Sequence, residues 1–84
     1  MEKYKSATIN VDTGGTVINP SFDIQEWSVY SAAGSFTVEV FTDDYGDAIP
    51  GFNGISLSLS IGCQRIRIKS AVGTIAVAYV VKGQ

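Results

Sequence analysis

The chain has 84 residues, of which 45% are hydrophobic and only 17% are charged, and its net charge is −2. This length fits one domain, residues 1–84, and leaves no room for a second core. Because the chain has no histidine and a single cysteine, it lacks a Ser-His triad, the usual zinc ligand sets and an internal disulfide, so we predict no cofactor. Its acidic balance argues against nucleic acid as a partner.

Hydrophobic and polar residues alternate with a period of two through the first half of the chain, which is the pattern of strands with one buried face. The pattern predicts strands over residues 5–11, 16–18, 25–30 and 35–42. Turn-forming residues lie between them at 12–15 and 31–34. In the fourth strand, Phe41 interrupts the polar outer face. The residues expected inside that strand are Phe36, Val38 and Val40.

The second half continues the alternation after a segment that is rich in turn residues. Asp, Gly, Pro and Asn over residues 43–54 predict a long loop. Strands are then predicted over residues 55–61, 65–70 and 74–81. The last of these is apolar on both faces, so it is expected at the centre of a sheet or against a partner. In the first, the expected inner residues are Ile55, Leu57, Leu59 and Ile61.

Seven short strands with turns between them, and no helical periodicity, predict an all-β fold. The expected architecture is an antiparallel β-sandwich or flattened barrel of jelly-roll or Greek-key type. No stretch approaches the roughly 20 apolar residues of a membrane span, and the N-terminal residues lack the apolar segment of a signal peptide. The chain is therefore expected in the cytoplasm unless a larger particle carries it elsewhere.

The run Asp12-Thr13-Gly14 resembles the signature of retroviral-type aspartic proteases. In that family two such aspartates meet across a dimer and share one proton, so the resemblance implies that Asp12 would be the catalytic carboxylate. Gly15 stands where that family has a residue such as alanine or serine, and no C-terminal helix is predicted. We prefer a glycine-rich hairpin turn and predict no catalytic residue.

The predicted loop over 43–54 concentrates carboxylates beside aromatic side chains. Loops of this length are frequent binding segments, and the candidate ligand is a glycan. Carboxylates could also bind a hard cation, but the spacing lacks an EF-hand register and no metal site is assigned. A solvated acidic turn is the alternative. The candidate residues are Asp43, Asp44, Tyr45, Asp47 and Phe52.

A basic stripe is predicted on the outer face of the strand over 65–70, formed by Arg65, Arg67 and Lys69. A polyanion could lie along such a stripe. The alternative is that the stripe pairs across the sheet with carboxylates, for which Glu39 is the expected partner.

Small size and low charge together predict self-association. A domain of this length buries only roughly 60% of its unfolded surface, and contact between copies is a common source of additional burial. The low charged fraction indicates that part of the surface is covered. The candidate contact residues are Phe41, Tyr79 and the exposed side of the last strand.

Two segments resemble the small all-β structural proteins of tailed bacteriophages, the decoration, head-fibre and tail-associated modules. One segment is 22–42, with Trp27, a turn at Ala33-Gly34 and the strand Phe36-Thr37-Val38-Glu39-Val40. The other is 65–81, with Ile66-Arg67-Ile68-Lys69, a turn at Gly73 and an apolar strand. The resemblance implies a non-enzymatic virion protein that oligomerises and docks on a capsid or tail. A glycan-binding module is the main alternative.

Overall fold

A computed structural model describes residues 3–42 and 45–83. These residues form eight strands and no helix, and therefore no helix that is long and apolar enough to cross a membrane. The strands are β1 (Lys3–Val11), β2 (Thr16–Ile18), β3 (Ile24–Tyr30), β4 (Phe36–Thr42), β5 (Tyr45–Gly51), β6 (Leu57–Leu59), β7 (Arg65–Ser70) and β8 (Ile75–Gly83).

The strands form two antiparallel sheets of four. Sheet A has the order β1-β8-β3-β6, and sheet B has the order β2-β7-β4-β5. The chain crosses from one sheet to the other at every connection except the β4–β5 hairpin. This arrangement confirms the predicted all-β antiparallel sandwich, with eight strands instead of about seven.

The core lies between the inner faces of the two sheets, where alternate side chains of each strand meet. In β8, which is central in sheet A as predicted, the side chains of Ile75, Val77, Tyr79 and Val81 are buried and those between them are exposed. Trp27 is 2% exposed, and its indole N–H has no hydrogen-bond acceptor among the described residues. Burial of the ring must offset that unpaired donor, which costs about 1–3 kcal/mol.

The long loop predicted over 43–54 is wrong for most of its length, because residues 45–51 form β5. This strand pairs with β4 along its whole length, from Phe36 opposite Gly51 to Thr42 opposite Tyr45. Pairing with a neighbouring strand outweighs the local turn composition. Pro50 and the glycines are tolerated because β5 lies at the edge of sheet B.

The strand predicted over 55–61 is shorter than expected, and two of its four inner residues are not inside. Only Leu57–Leu59 pairs with β3, and these two leucines pack against the core. Ile55 is 60% exposed and Ile61 is 45% exposed. Both residues lie beyond the ends of the β3–β6 ladder. The hydrophobic alternation in the sequence is therefore longer than the strand that pairs.

Replacing Gly51 by alanine should destabilise the sandwich. A Cβ at this position would collide with the ring of Phe36, which is 2% exposed and has no room to move. We expect a loss of about 1–3 kcal/mol in the free energy of unfolding, measured by urea denaturation.

The matched control is Gly62→Ala, where the nearest atom to the added Cβ is 3.9 Å away. This variant should unfold at nearly the wild-type urea concentration. Equal effects of the two substitutions would mean that contact with Phe36 is not the reason for glycine at position 51.

Candidate functional site

The outer surface of sheet A, called face A, carries almost no charge. The strand register places the outward side chains of four neighbouring strands on it. Among the described residues, the charged ones on this face are Glu26 and Lys82, which form an ion pair at 2.7 Å. Serine, threonine, alanine, valine and tyrosine make up most of the rest. Face A comprises Tyr4, Ser6, Thr8, Asn10, Glu26, Ser28, Tyr30, Ser58, Ala76, Ala78, Val80 and Lys82.

A shallow depression of about 200 Å³ lies on face A where β3, β6 and β8 adjoin. The hydroxyl of Ser58 donates a hydrogen bond to Ser28 Oγ across it, at 2.9 Å. At one end, the hydrogen bond from Lys82 is the main cause that lowers the pKa of Glu26 below its usual value. The two serines and the Glu26–Lys82 pair of the depression thus have partners within it, and Trp27, Leu59 and Val80 form its apolar lining.

The outer surface of sheet B, called face B, is basic. Arg67 Nε donates to Glu39 Oε1 at 2.7 Å, and Lys69 Nζ lies 3.8 Å from the same oxygen. Glu39 is thus the partner expected from the sequence, and its hydrogen bond from Arg67 is the main cause that lowers the pKa of Glu39. Arg65 forms no ion pair within the described part of the chain. Face B comprises Val17, Thr37, Glu39, Phe41, Gly46, Ala48, Pro50, Arg65, Arg67 and Lys69.

The ring of Phe41 is partly covered by the basic residues of face B. The Arg65 and Arg67 guanidinium carbons lie 4.8 and 5.6 Å from its centroid, within range of cation–π attraction. The ring also lies against Gly46, where an added Cβ would come within 2.8 Å of it. Phe41 as a contact residue for another copy stays a prediction, but much of its ring already has intramolecular neighbours.

Tyr79 points into the core and not towards the surface. Its side chain is 5% exposed, because it lies on the inner side of β8 opposite Ala7 and Val29. The period-two pattern of β8 left open which of its two apolar faces is inside. The outer side of the same strand, with Ala76, Ala78 and Val80, belongs to face A.

The predicted ligand residues that the structure describes are divided between a strand and the segment that follows it. Asp43 and Asp44 lie outside the described residues, as does the side chain of Tyr45. Asp47 is on β5 and Phe52 follows its end, so the extended backbone separates them by roughly 16 Å. Phe52 is 58% exposed. No group of three His, Cys, Asp or Glu side chains that could hold a metal ion occurs in the described ranges.

Asp12 stabilises a turn, as in the preferred interpretation of its sequence motif. Its Oδ1 accepts hydrogen bonds from the N–H groups of Gly14 and Gly15 at 2.9 and 3.0 Å. Its carbonyl oxygen accepts from the N–H of Ser70 at 2.9 Å. Gly15 has a φ of 87°, which only glycine adopts without strain. These contacts account for the Asp-Thr-Gly-Gly run as turn chemistry, but the turn leads from sheet A to sheet B and is not the hairpin that the sequence predicted.

Neither a protein-family model nor a curated protein matches this chain in sequence. Several solved structures share its fold. A hydroxypropylphosphonic acid epoxidase from S. wedmorenis, in complex with fosfomycin, is 10% identical with a TM-score of 0.62, over 90% of this chain and 42% of the epoxidase. A protein of Bacillus endospore appendages, described as disulfide-linked pili, is 17% identical with a TM-score of 0.62, over 98% of this chain and 85% of that protein. Vicilin from Corylus avellana, the hazelnut, is 13% identical with a TM-score of 0.58, over 93% of this chain and 22% of vicilin.

These identities are low, so the likenesses show an all-β fold and no more. The chain spans less than half of the epoxidase and under a quarter of vicilin, whereas it matches most of the pilus protein. An enzyme and a pilus-forming protein both have this fold, so the fold does not select between catalysis and assembly. None of these three proteins is a bacteriophage protein, and the resemblance to that class is not supported beyond its all-β character.

Replacing Glu39 by glutamine should lower stability in a pH-dependent manner. At neutral pH we expect a loss of roughly 0.5–1 kcal/mol from the broken contact with Arg67. The folded-state pKa of Glu39 lies below the usual 4.5, so its stabilisation is complete above that pH and disappears as the pH falls through the lowered pKa. The difference in Tm between the two proteins should therefore shrink between about pH 5 and about pH 3.

Thermal unfolding followed by circular dichroism at several pH values measures this difference. Comparing the two proteins at each pH cancels the titration of all other carboxylates. A Tm difference that stays constant down to the lowest pH would contradict the assigned role of the Glu39 carboxylate.

Proposed function

We propose that the protein is a non-enzymatic structural subunit that self-associates through face A. The observation that carries this proposal is the chemistry of face A, which is nearly free of charge and composed mainly of small, hydroxyl and tyrosine side chains. The ion pair that its described residues form joins Glu26 to Lys82 within the face, so neither charge needs a partner from another molecule.

Removing face A from water costs less free energy than removing face B, so face A is the more favourable contact surface. Interface centres are depleted in charged residues and enriched in tyrosine. Face A supplies Tyr4 and Tyr30, which are 58% and 39% exposed. Covering face B would instead desolvate Arg65, which lacks a carboxylate partner among the described residues, and an unpaired buried charge is strongly unfavourable.

The area of face A indicates a contact of modest strength. Its strands β1, β8, β3 and β6 have nine, nine, seven and three residues, which at about 3.4 Å per residue and about 4.8 Å between strands give roughly 450 Å² per copy. Two such faces would bury about 900 Å² in total, near the lower limit for a specific interface. A second copy of this chain is the partner that we propose, because two nearly neutral faces can meet about a two-fold axis without opposing charges of one sign.

The comparison with the endospore pilus protein supports an assembly function. That protein forms pili, and this chain matches 85% of it and thus resembles the whole folded unit. The sequence resemblance to tailed-phage structural proteins suggests a virion as one kind of particle in which such a subunit could act. Docking on a capsid or tail rests on that resemblance alone.

Replacing Val80 by glutamate should weaken self-association. Val80 is 39% exposed at the centre of face A, and a carboxylate there would be desolvated in the contact. We expect the dissociation constant to rise by about tenfold or more, measured by sedimentation velocity over a range of protein concentrations.

Val17→Glu is the matched control, since Val17 is an exposed valine on face B, 49% exposed and opposite Arg67. This variant should associate as the wild type does, and both variants should retain the β circular-dichroism spectrum. A wild-type protein that stays monomeric at high concentration would refute the proposal, as would equal weakening by the two substitutions.

A second candidate function is glycan binding, which the depression on face A favours because three serine residues and the Glu26–Lys82 pair line it together. A glycan screen with two variants locates any such site. Loss of binding in Tyr30→Ala would place the glycan on face A. Loss in Tyr45→Ala would place it at the β4–β5 turn, where the sequence predicted it. No binding in the screen would remove this candidate.

A further inference from the structure

The free edges of the two sheets differ in length and composition. Sheet A ends at β1 and β6, and sheet B ends at β2 and β5. Strands β2 and β6 have three residues each, which offers little backbone to another strand. Strand β1 has nine residues without glycine or proline, and β5 has seven with Pro50 near its end. The β1 edge and the β5 edge are therefore the two long edges whose backbone N–H and C=O groups can pair with another strand.

The β1 edge is exposed beyond the reach of sheet B. Residues 3–8 are all exposed, although half of their side chains point to the side where the core lies. The neighbouring edge of sheet B is the short strand β2, which cannot cover them. Lys3 and Lys5 lie on this uncovered inner side, in register with Gly83 and Val81. Neither lysine forms an ion pair with a carboxylate in the described chain.

The β5 edge has the opposite charge. Asp47 is exposed on β5, and no described cation forms an ion pair with it. In the sequence, Asp43 and Asp44 come immediately before this strand. Within the described residues, Lys3 and Lys5 on one long edge and Asp47 on the other have no ion-pair partner.

The two long edges lie on opposite sides of the sandwich. Strand β1 continues into β2 through the short turn 12–15, so these two strands share one side. Strand β5 continues into β6 through residues 52–56, so these two share the other side. A molecule that bound a second copy through β1 would therefore keep its own β5 free.

We propose that the β1 edge pairs with the β5 edge of a second copy, so that sheet A of one molecule continues into sheet B of the next. Charge selects this pairing. Two β1 edges would bring four lysines together, and two β5 edges would bring aspartates together, whereas β1 with β5 is attractive. Because the two surfaces differ, the contact repeats in one direction and forms an open row or a ring.

This contact rests on the proposed assembly function, which it extends with a surface distinct from face A. It also explains why a long edge without proline carries lysines. Edge lysines prevent a strand from pairing with itself, and a partner that supplies carboxylates removes that obstacle.

Exchanging the charges of the two edges tests the proposal. One variant carries Lys3→Glu and Lys5→Glu, and the other carries Asp47→Lys. Each alone should raise the dissociation constant by about tenfold, because β1 and β5 then repel. An equimolar mixture should restore association, since every β1 edge again meets a β5 edge of opposite charge. Sedimentation velocity measures the association, and negative-stain microscopy shows rows or rings.

The single variants separate this pairing from its alternatives. Pairing of β1 with β1 predicts that Asp47→Lys has no effect, and pairing of β5 with β5 predicts the same for the lysine variant. Either result overturns the proposal, as does a mixture that fails to associate. The neutral variant with Lys3→Gln and Lys5→Gln should weaken association less and should reduce its dependence on salt. The three altered residues are exposed and outside any described ion pair, so all variants should fold as the wild type does. Circular dichroism checks this.

Repeating the exchange in the Val80→Glu background distinguishes failure of this contact from failure of the face A contact. If only the edges associate, charge exchange still changes the sedimentation of Val80→Glu proteins. If only face A associates, charge exchange changes nothing in either background and Val80→Glu weakens association, which overturns the edge proposal and leaves the proposed function intact.

Discussion

The packing of the inner face of sheet A against the inner face of sheet B is the interaction on which the rest of the structure depends. Each sheet alone would expose a continuous apolar surface, and the described residues form no further element that could cover it. The core residues come from strands that are distant in sequence, such as Val38 in β4 and Val77 in β8, both fully buried. A shift of one residue in register would move the inner side chains of a strand to its outer face. Packing of the core therefore also determines which side chains face outward.

The outer faces are consequences of that register, and they differ in chemistry. Face A is nearly uncharged, whereas the described residues of face B include three basic ones, two of them over the ring of Phe41, and one carboxylate, Glu39. An antiparallel sheet in water tolerates either composition. The difference becomes informative when a contact is considered, because covering a neutral face requires much less desolvation than covering a basic one.

A repeating assembly can be built from contacts that are individually weak. Face A has an area near the lower limit for a specific interface, and a strand-to-strand edge contact is also small. When both operate in one particle, each copy is held at several points, and the contacts reinforce one another without any of them being strong. A small sandwich with one neutral face and two oppositely charged edges fits this kind of construction. The same fold in an epoxidase and in a pilus protein shows that surfaces, and not the arrangement of strands, decide what such a domain does.

The sequence by itself determined the all-β class, most of the strands and the residues that alternate within them, because period-two hydrophobicity is a local property of each strand. It also identified Glu39 as the partner of the basic stripe, since cross-strand charge pairs are common between neighbouring strands. Only the tertiary structure decided that 45–51 is a strand, because its stability comes from pairing with β4 and not from its own composition. It also decided that Tyr79 faces inward while Val80 faces outward, as both sides of β8 are apolar in sequence. The edges β1 and β5, with their opposite charges on opposite sides, depend on strand order, which involves contacts between distant residues and has no local signal.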